Sequence, residues 1–335
     1  MEKITVKVAA VREMMQREFQ TVGLPQEQAE LVADVILDAE RSGVLSHGVV
    51  RAPVYLKQLR DGIVNSSPDI KIDRHDGVVK VDGDNGLGII VAEAAMRECI
   101  AAAKEIGICA AAIHHSNHFG AAAYYSRLAA AEGCIGFICT MAGPTMAPYG
   151  GKELLLGTDP FSVSFPYASD IFTIDISSSA VAKGKIRIYA RQGKQIPQGW
   201  ALDADGNPTT DPEKAVGGII LPMADHKGYG IALVIEMLSA ILSGASLSAE
   251  STGMFGVSSE ANIGHFALAI TISHFLPLIA FESRAGAWLE MLANSKTRAD
   301  FERVLIPGEI ENTNREKHEL EIELDSDLYN KLFQR

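Results

Sequence analysis

Apolar residues recur at three- and four-residue spacing across residues 5–22 and again across 25–42, so both stretches are expected to form amphipathic helices. Pro25 suits the first turn of the second helix, and Gly43 ends it. SHGVVR (Ser46 to Arg51) then reads as a connector. A third helix is expected from near Arg51, with Pro53 tolerated in its first turn and Tyr55 and Leu59 continuing one face. From about Val78 the texture changes. VVKVDG reads as a strand, DNGLG as a tight turn and IIVAEAAMRECIAAAKEIG as a long helix. GICAAAI, CIGFICTM, SDIFTIDIS and HFALAITI are further strands, the last one central, and AAAYYSRLAAAEG and SSAVAKGKIRIYARQG are further helices. Such alternation predicts an α/β core. Residues 193–226 are rich in turn formers and read as a surface excursion. KGYGIALVIEMLSAILSG has so few polar residues that a helix buried on most sides is expected. ESRAGAWLEMLANS is amphipathic again, and HELEIEL followed by DSDLYNKLF closes the chain as a strand and a capped helix.

Length and charge narrow the function classes. At 335 residues the chain exceeds one small core, so one large domain or two ordinary ones are expected. A net charge of −12 leaves no basic face for phosphates, and no nucleic-acid partner is expected. The first residues lack the unbroken apolar core of a signal peptide, and no run approaches the ~18 apolar residues that cross a bilayer. Cys99, Cys109, Cys134 and Cys139 sit in apolar segments without a CxxC pair. They read as buried free thiols of a reducing cytoplasm.

Candidate chemistry gathers at a few places. His114, His115, Asn117 and His118 follow the apolar run of GICAAAI, where a strand end could hold them open to a ligand. The i, i+4 pair His114 and His118 resembles zinc ligation, but a strand-to-helix junction is expected between them and the Glu of a metalloprotease motif is missing. A buried, hydrogen-bonded histidine explains His114 or His115 equally well, and no metal is expected. His118 stands apart because it sits beside Asn117 at the tip. Ser46, His47 and Arg51 form the second cluster. A guanidinium clamps a carboxylate, and a neutral imidazole accepts a hydroxyl proton, so together they suit a 2-hydroxy or 2-keto acid. GDNGLGIIV lacks the third glycine of a dinucleotide fingerprint, because Val91 stands in its place, and it reads as a strand-to-helix turn. Lys227 and Gly228 open a helix whose N-terminus could receive an anion, or could simply start a helix. Asp175, Ile176 and Ser177 close a strand where a cofactor could touch.

SGVLSHGVVR, DGDNGLG, HHSNHFGAAAYYS, PYGGKELLLGTDP, the strand ending at Asp175, GWALDADGNPTTDP, KGYGIAL and LIPGE recur in this order in a known family. Through them the chain resembles, nearly end to end, the malate/L-lactate dehydrogenase family, which also holds ureidoglycolate, sulfolactate and diketogulonate enzymes. The resemblance implies a non-Rossmann α/β fold with a helical part, a homodimer, and hydride transfer between NAD or NADP, NAD first, and a 2-hydroxy acid. A division into residues 1–76 plus about 280–335, helical and substrate-side, and a cofactor-binding core over 77–279 is expected. By the same matching His118 and His47 are catalytic, with His118 the base in oxidation. Ser46, Arg51, Tyr55 and Asn117 attend the substrate; Asp175, Ile176, Ser177, Lys227, Gly228, Gly308 and Glu309 attend the cofactor. Asp159 stands where the family commonly has Asn, and DISSS replaces DMATS. Ala261 stands where ureidoglycolate enzymes carry Arg, which weakens that substrate. The alternatives are a cyclic imino acid reductase of the same family and, from another class, a metal-dependent hydrolase built on His114 and His118.

Overall fold

The computed structural model describes residues 2–168, 170–255 and 261–333. The chain opens with a strand, β1 (Lys3–Lys7), before α1 (Val8–Thr21) and α2 (Gln26–Arg41). Residues 5–7 were expected to be helical. They pair instead with a strand from the far end of the sequence, and local periodicity cannot register so distant a partner. A 3-10 turn at Val49–Arg51 leads into α3 (Ala52–Arg60), with Pro53 in its first turn as expected. Val11, Met15 and Phe19 of α1, six apolar residues of α2 and Tyr55, Leu56 and Leu59 of α3 bury one face each in a common core. Each such side chain contributes about 1.5–3 kcal/mol on burial.

The second layer is a mixed sheet. It comprises β2 (Lys71–His75), β3 (Val78–Asp82), β4 (Ile108–Ser116), β5 (Cys134–Thr140), β6 (Pro160–Tyr167), β7 (Asp170–Ser177) and a later strand, Ile263–Thr271. Helix α4 (Gly88–Ile106) covers β4, and α5 (Ala123–Ala131) covers β5 and β6. The sequence pattern did not reveal β6. It buries Ser162 and Ser164 rather than apolar side chains, and their hydroxyls lie 2.8 Å from the Ser126 hydroxyl of α5. Small hydrogen-bonded groups let the helix approach closely but erase the apolar alternation by which strands are recognised.

Helix α6 (Lys183–Arg191) contains Gly184, as expected. Residues expected to form only a surface excursion build a small sheet from β8 (Ala201–Leu202), β9 (Pro208–Thr209) and, after α7 (Pro212–Val216), β10 (Ile219–Ile220). This sheet encloses its own cluster around Met146, Ile186 and Ile220. Helix α8 (His226–Glu236) runs on into a π-helical turn, Met237–Ile241. Burial on most sides is not what it shows: Val234, Met237, Ile241 and Leu242 are 58, 59, 56 and 60% exposed in the single chain.

The strand Ile263–Thr271 is β11, and the sheet order is β2-β3-β4-β11-β5-β6-β7, with β11 central as expected. Among the described residues β3 and β4 are the one parallel neighbouring pair, so this is not a doubly wound nucleotide sheet. Helix α9 (Leu278–Ala293) contacts β6, and α10 (Glu309–Lys317) returns to α2. The strand β12 (Glu321–Asp325) pairs antiparallel with β1, and α11 (Ser326–Phe333) ends the chain, its first amides held by the Asp325 carboxylate. No helix among the described residues is long and apolar enough to cross a membrane.

Candidate active site

Two short segments meet where the helical layer touches the sheet. The first is the connector after α2. The Glu40 carboxylate, buried at the end of α2, accepts the Val49 amide at 2.8 Å and draws the connector back onto the helix. A Cβ at position 48 would lie 2.0 Å from Glu40 Oε2, so only Gly48 allows this approach. The turn presents His47, whose Nδ1 lies 2.9 Å from the Ser46 hydroxyl. Arg51 reaches back to it, its Nε donating to the Ser46 carbonyl at 2.5 Å, and its Nη1 lies 3.3 Å from Met254 Sδ.

The second segment is the tip beyond β4. His118 Nδ1 lies 2.7 Å from the Tyr55 hydroxyl and 3.2 Å from the Gly120 amide nitrogen. Its ring stacks on His47, with centroids 5.6 Å apart and planes 13° apart. The two histidines that the sequence singles out thus lie side by side. Burial, then the neighbouring His47 and Arg51, hold His118 well below the usual imidazole range. Burial and Arg51 likewise lower His47 to about 4. Both rings are therefore neutral at pH 7, able to take a proton or donate a single N–H.

Tyr55 was expected at the substrate, but it is fully buried and its hydroxyl faces the His118 ring. Asn117 is also buried: its amide donates to the Asn85 carbonyl, the Asn85 side chain and the Gly86 carbonyl. It ties the tip to the DNGLG turn. The start of α4 beyond that turn abuts protein, since a Cβ at Gly88 would lie 1.8 Å from the Asn117 carbonyl. A dinucleotide pyrophosphate has no room there, as the broken fingerprint implied. The sequence reading passed over His265, whose nitrogens lie 2.7 Å from Thr140 Oγ1 and 2.9 Å from Ser116 Oγ while Phe119 stacks on its ring at 4.7 Å. This network fixes the floor beneath His118. A lone His in an apolar strand is a signal that could have found it.

His114 and His118 have different neighbours. His114 sits with His115 and Asp82, whereas His118 sits with Tyr55 and His47.

A cavity of ≈ 610 Å³ adjoins His47 and Ser46, within the usual range for a bound small molecule. Its walls include the small residues Gly120 to Ala123, the end of β7 at Asp175, Ile176 and Ser177, and Gly308. Asp175 accepts the Ala123 amide at 2.9 Å and is open to solvent through the cavity, yet protein surrounds it at longer range. That desolvation raises its carboxyl to about 6. A nicotinamide dinucleotide fits these walls: aliphatic surface at Ile174, Ile176 and Leu305 suits flat rings, and Arg315 brings a buried guanidinium nitrogen, Nη1, that has no hydrogen-bond partner among the described residues. Three of the expected cofactor residues lie off the cavity wall. Glu309 is engaged by Arg303 and by the Ile306 amide, and Lys227 is exposed at the start of α8. The Lys227 and Gly228 amides already donate to the Ala224 and Met223 carbonyls, so this helix start is less open to an anion than its sequence implied.

A mixed-sheet α/β fold carrying a small-molecule-sized cavity beside two neutral histidines and an arginine suits a nicotinamide-dependent oxidoreductase of small acids. The chain belongs to the malate/L-lactate dehydrogenase family, whose profile matches residues 6–333. It is 42% identical over 311 residues to L-sulfolactate dehydrogenase of Methanocaldococcus jannaschii, covering 92% of this chain and 90% of that protein. The solved structure of the sulfolactate dehydrogenase from that organism superposes with a TM-score of 0.93 at 40% identity, over 98% of this chain and 95% of the other. Malate dehydrogenase of Pyrococcus horikoshii is 39% identical over 299 residues, 86% of this chain and 82% of that one. A (2R)-3-sulfolactate dehydrogenase (NADP(+)) of Chromohalobacter salexigens is 38% identical over 259 residues, 77% and 78% of the two chains. The protein is an NAD(P)-dependent 2-hydroxyacid dehydrogenase.

Proposed function

We propose that the protein interconverts a dianionic 2-hydroxy acid, carrying a second carboxylate or a sulfonate at C3, with its 2-keto acid. The observation supporting a dianion is the cationic charge around Ser46 and His47. Helix α6 approaches this connector, with Ser46 Cβ 3.9 Å from where a Cβ on Gly184 would sit, and Arg187 on α6 is near enough to both Arg51 and Lys183 to lower their pKa values after burial has done so. One anionic group of the substrate meets Arg51, and the other meets the α6 cations. A monoanion such as lactate leaves the second set unused.

A nicotinamide held in the adjoining cavity would supply or accept the hydride. In oxidation His118 Nε2 would take the substrate's hydroxyl proton as the C2 hydride leaves and the carbonyl forms. For this the ring carries its other proton on Nδ1, donated to the Tyr55 oxygen. A hydroxyl can accept as well as donate, and it is the nearer neighbour; the Gly120 amide can only donate and favours the opposite tautomer. Tyr55 is thus a positioning residue, acting through His118. His47, oriented by Ser46, holds the substrate oxygen, and Asn117 keeps the tip in register. Asp175, Ile176, Ser177 and Gly308 line the coenzyme's wall, with Lys227, Gly228 and Glu309 flanking it.

NAD is the proposed coenzyme, supported by the acidic Asp175 and Glu311 on the cavity wall, which disfavour an added 2′-phosphate. A homodimer is proposed through the exposed apolar faces of α8 and α9, where Val234, Met237, Trp288 and Met291 are more than half exposed. Val234→Asp with Met237→Asp should then yield monomer in light scattering. The free, buried cysteines support a cytoplasmic location.

The test is the initial rate at the reduced-nicotinamide absorbance band with NAD and NADP separately. The substrates are malate, sulfolactate and lactate forward, and keto acids and a cyclic imine in reverse. A charged hydrogen bond is worth about 1.5–3 kcal/mol, so kcat/KM for a dianion should exceed that for lactate by roughly 10- to 100-fold. Equal values for lactate would remove the dianion from the proposal. Turnover of the imine alone would assign the other family activity.

A further inference from the structure

Away from the catalytic histidines, Asp82 at the end of β3 pairs in register with His114 of β4. Successive residues of a strand point to opposite faces, so His114 and His115 should diverge. His115 has φ 48°, in the left-handed region that non-glycine residues seldom occupy, and the alternation breaks there. The two rings come together with centroids 4.6 Å apart. His115 Nδ1 lies 3.0 Å from Asp82 Oδ1, and His114 Nε2 lies 3.8 Å from Asp82 Oδ2. All three donor groups fall within 4.8 Å of one another. The unusual backbone is tightly held: the His115 amide donates to Asn262 Oδ1 at 2.7 Å, and its carbonyl accepts the Asn85 amide at 2.8 Å. Asp82 Oδ1 also accepts the Asp84 amide at 3.0 Å, which orients the carboxylate with Oδ2 toward His114.

We propose that Asp82, His114 and His115 form a binding site for a divalent transition-metal cation, with zinc the best match. Bonds of about 2.0–2.1 Å in a tetrahedral arrangement put neighbouring donors roughly 3.3 Å apart, so the two separations to the Asp82 oxygens bracket that spacing, and the donors, spread within 4.8 Å, must draw together around an ion. Two imidazoles and one carboxylate are the donor set of borderline ions rather than of magnesium or calcium. His115 is exposed and the other two are half-buried, so water completes the coordination. The site is structural: it pins the end of β3 to the end of β4, on the segment that continues through Asn117 to His118. The metal touches neither substrate nor coenzyme.

The test is calorimetric titration of chelator-treated, full-length protein with zinc chloride, with thermal melting as a second readout. One equivalent should bind and the melting temperature should rise. His114→Gln and Asp82→Asn should each weaken binding by ~10-fold or more, and His115→Asn should do the same while tolerating the left-handed backbone. Circular dichroism checks that each variant is folded, and any one folded variant suffices. Cobalt(II) in place of zinc should give the visible bands of a tetrahedral site in the wild type and lose them in that variant. Absence of saturable zinc binding in the wild type overturns the proposal, as does binding that a folded variant leaves unchanged.

Discussion

Replacing Glu40 with Gln should stabilise the protein at alkaline pH while leaving it nearly unchanged in acid. The carboxyl is buried beneath the His47 connector, and burial raises it from 4.5 to about 7 against the smaller opposing effects of the Val49 amide and Lys3. A group whose folded pKa exceeds its unfolded value contributes stability below the unfolded pKa and loses it as pH rises through the folded one. The window here runs from about 4.5 to about 7. At about 1.4 kcal/mol per unit, ionising Glu40 in place costs roughly 3 kcal/mol by pH 8.5. Gln carries no charge and its carbonyl can still accept the Val49 amide, so Glu40→Gln removes that cost. For a chain of this length the gain is about 4 °C in Tm. The assay is urea or thermal unfolding of both proteins at pH 5 and pH 8.5. A stability difference independent of pH, or a variant less stable at pH 8.5, would show that the carboxyl is not a strained anion under the connector.

His118→Ala should reduce kcat by about 100-fold or more with the fold retained, as expected for loss of an acid/base group; a folded variant with normal turnover would leave His118 without that role. Tyr55→Phe should lower kcat more than it changes KM, because the hydroxyl acts only through the ring; a pure KM effect would return Tyr55 to substrate binding. Arg51→Lys should chiefly raise KM, since the charge stays while the fork is lost, and an unchanged KM for every acid would make Arg51 structural. His118 is held well below the usual imidazole range, so it remains an unprotonated base as pH falls. The oxidation rate should stay level through the region near ~6.5 where an ordinary histidine loses half its base form, and a half-maximal point there would contradict the neutral pocket.

The connector and the tip beyond β4 were legible in the sequence because their chemistry is local. SHGVVR and HHSNHFG carry residue types that apolar helices and strands do not hold by chance, and helix periodicity placed α2, α3, α4 and α5 around them. The resemblance added the roles and the coenzyme, which spacing alone did not supply. The hydrogen-bond partners of Tyr55, Asn117 and His265 were not legible. Each depends on which group lies opposite in space: a ring from another layer, a turn two strands away, a hydroxyl across the sheet. The same limit hid β1 and β6. One pairs with the chain's other end, and the other is held by buried serines instead of an apolar stripe. The convergence of His114 and His115 on Asp82 needed a backbone angle that no composition announces. The sequence by itself determined the elements whose hydrophobic period is local and the residues able to do the chemistry. The tertiary structure decided their partners, and with them each group's charge state, because desolvation and hydrogen bonding are properties of the neighbours that folding brings together.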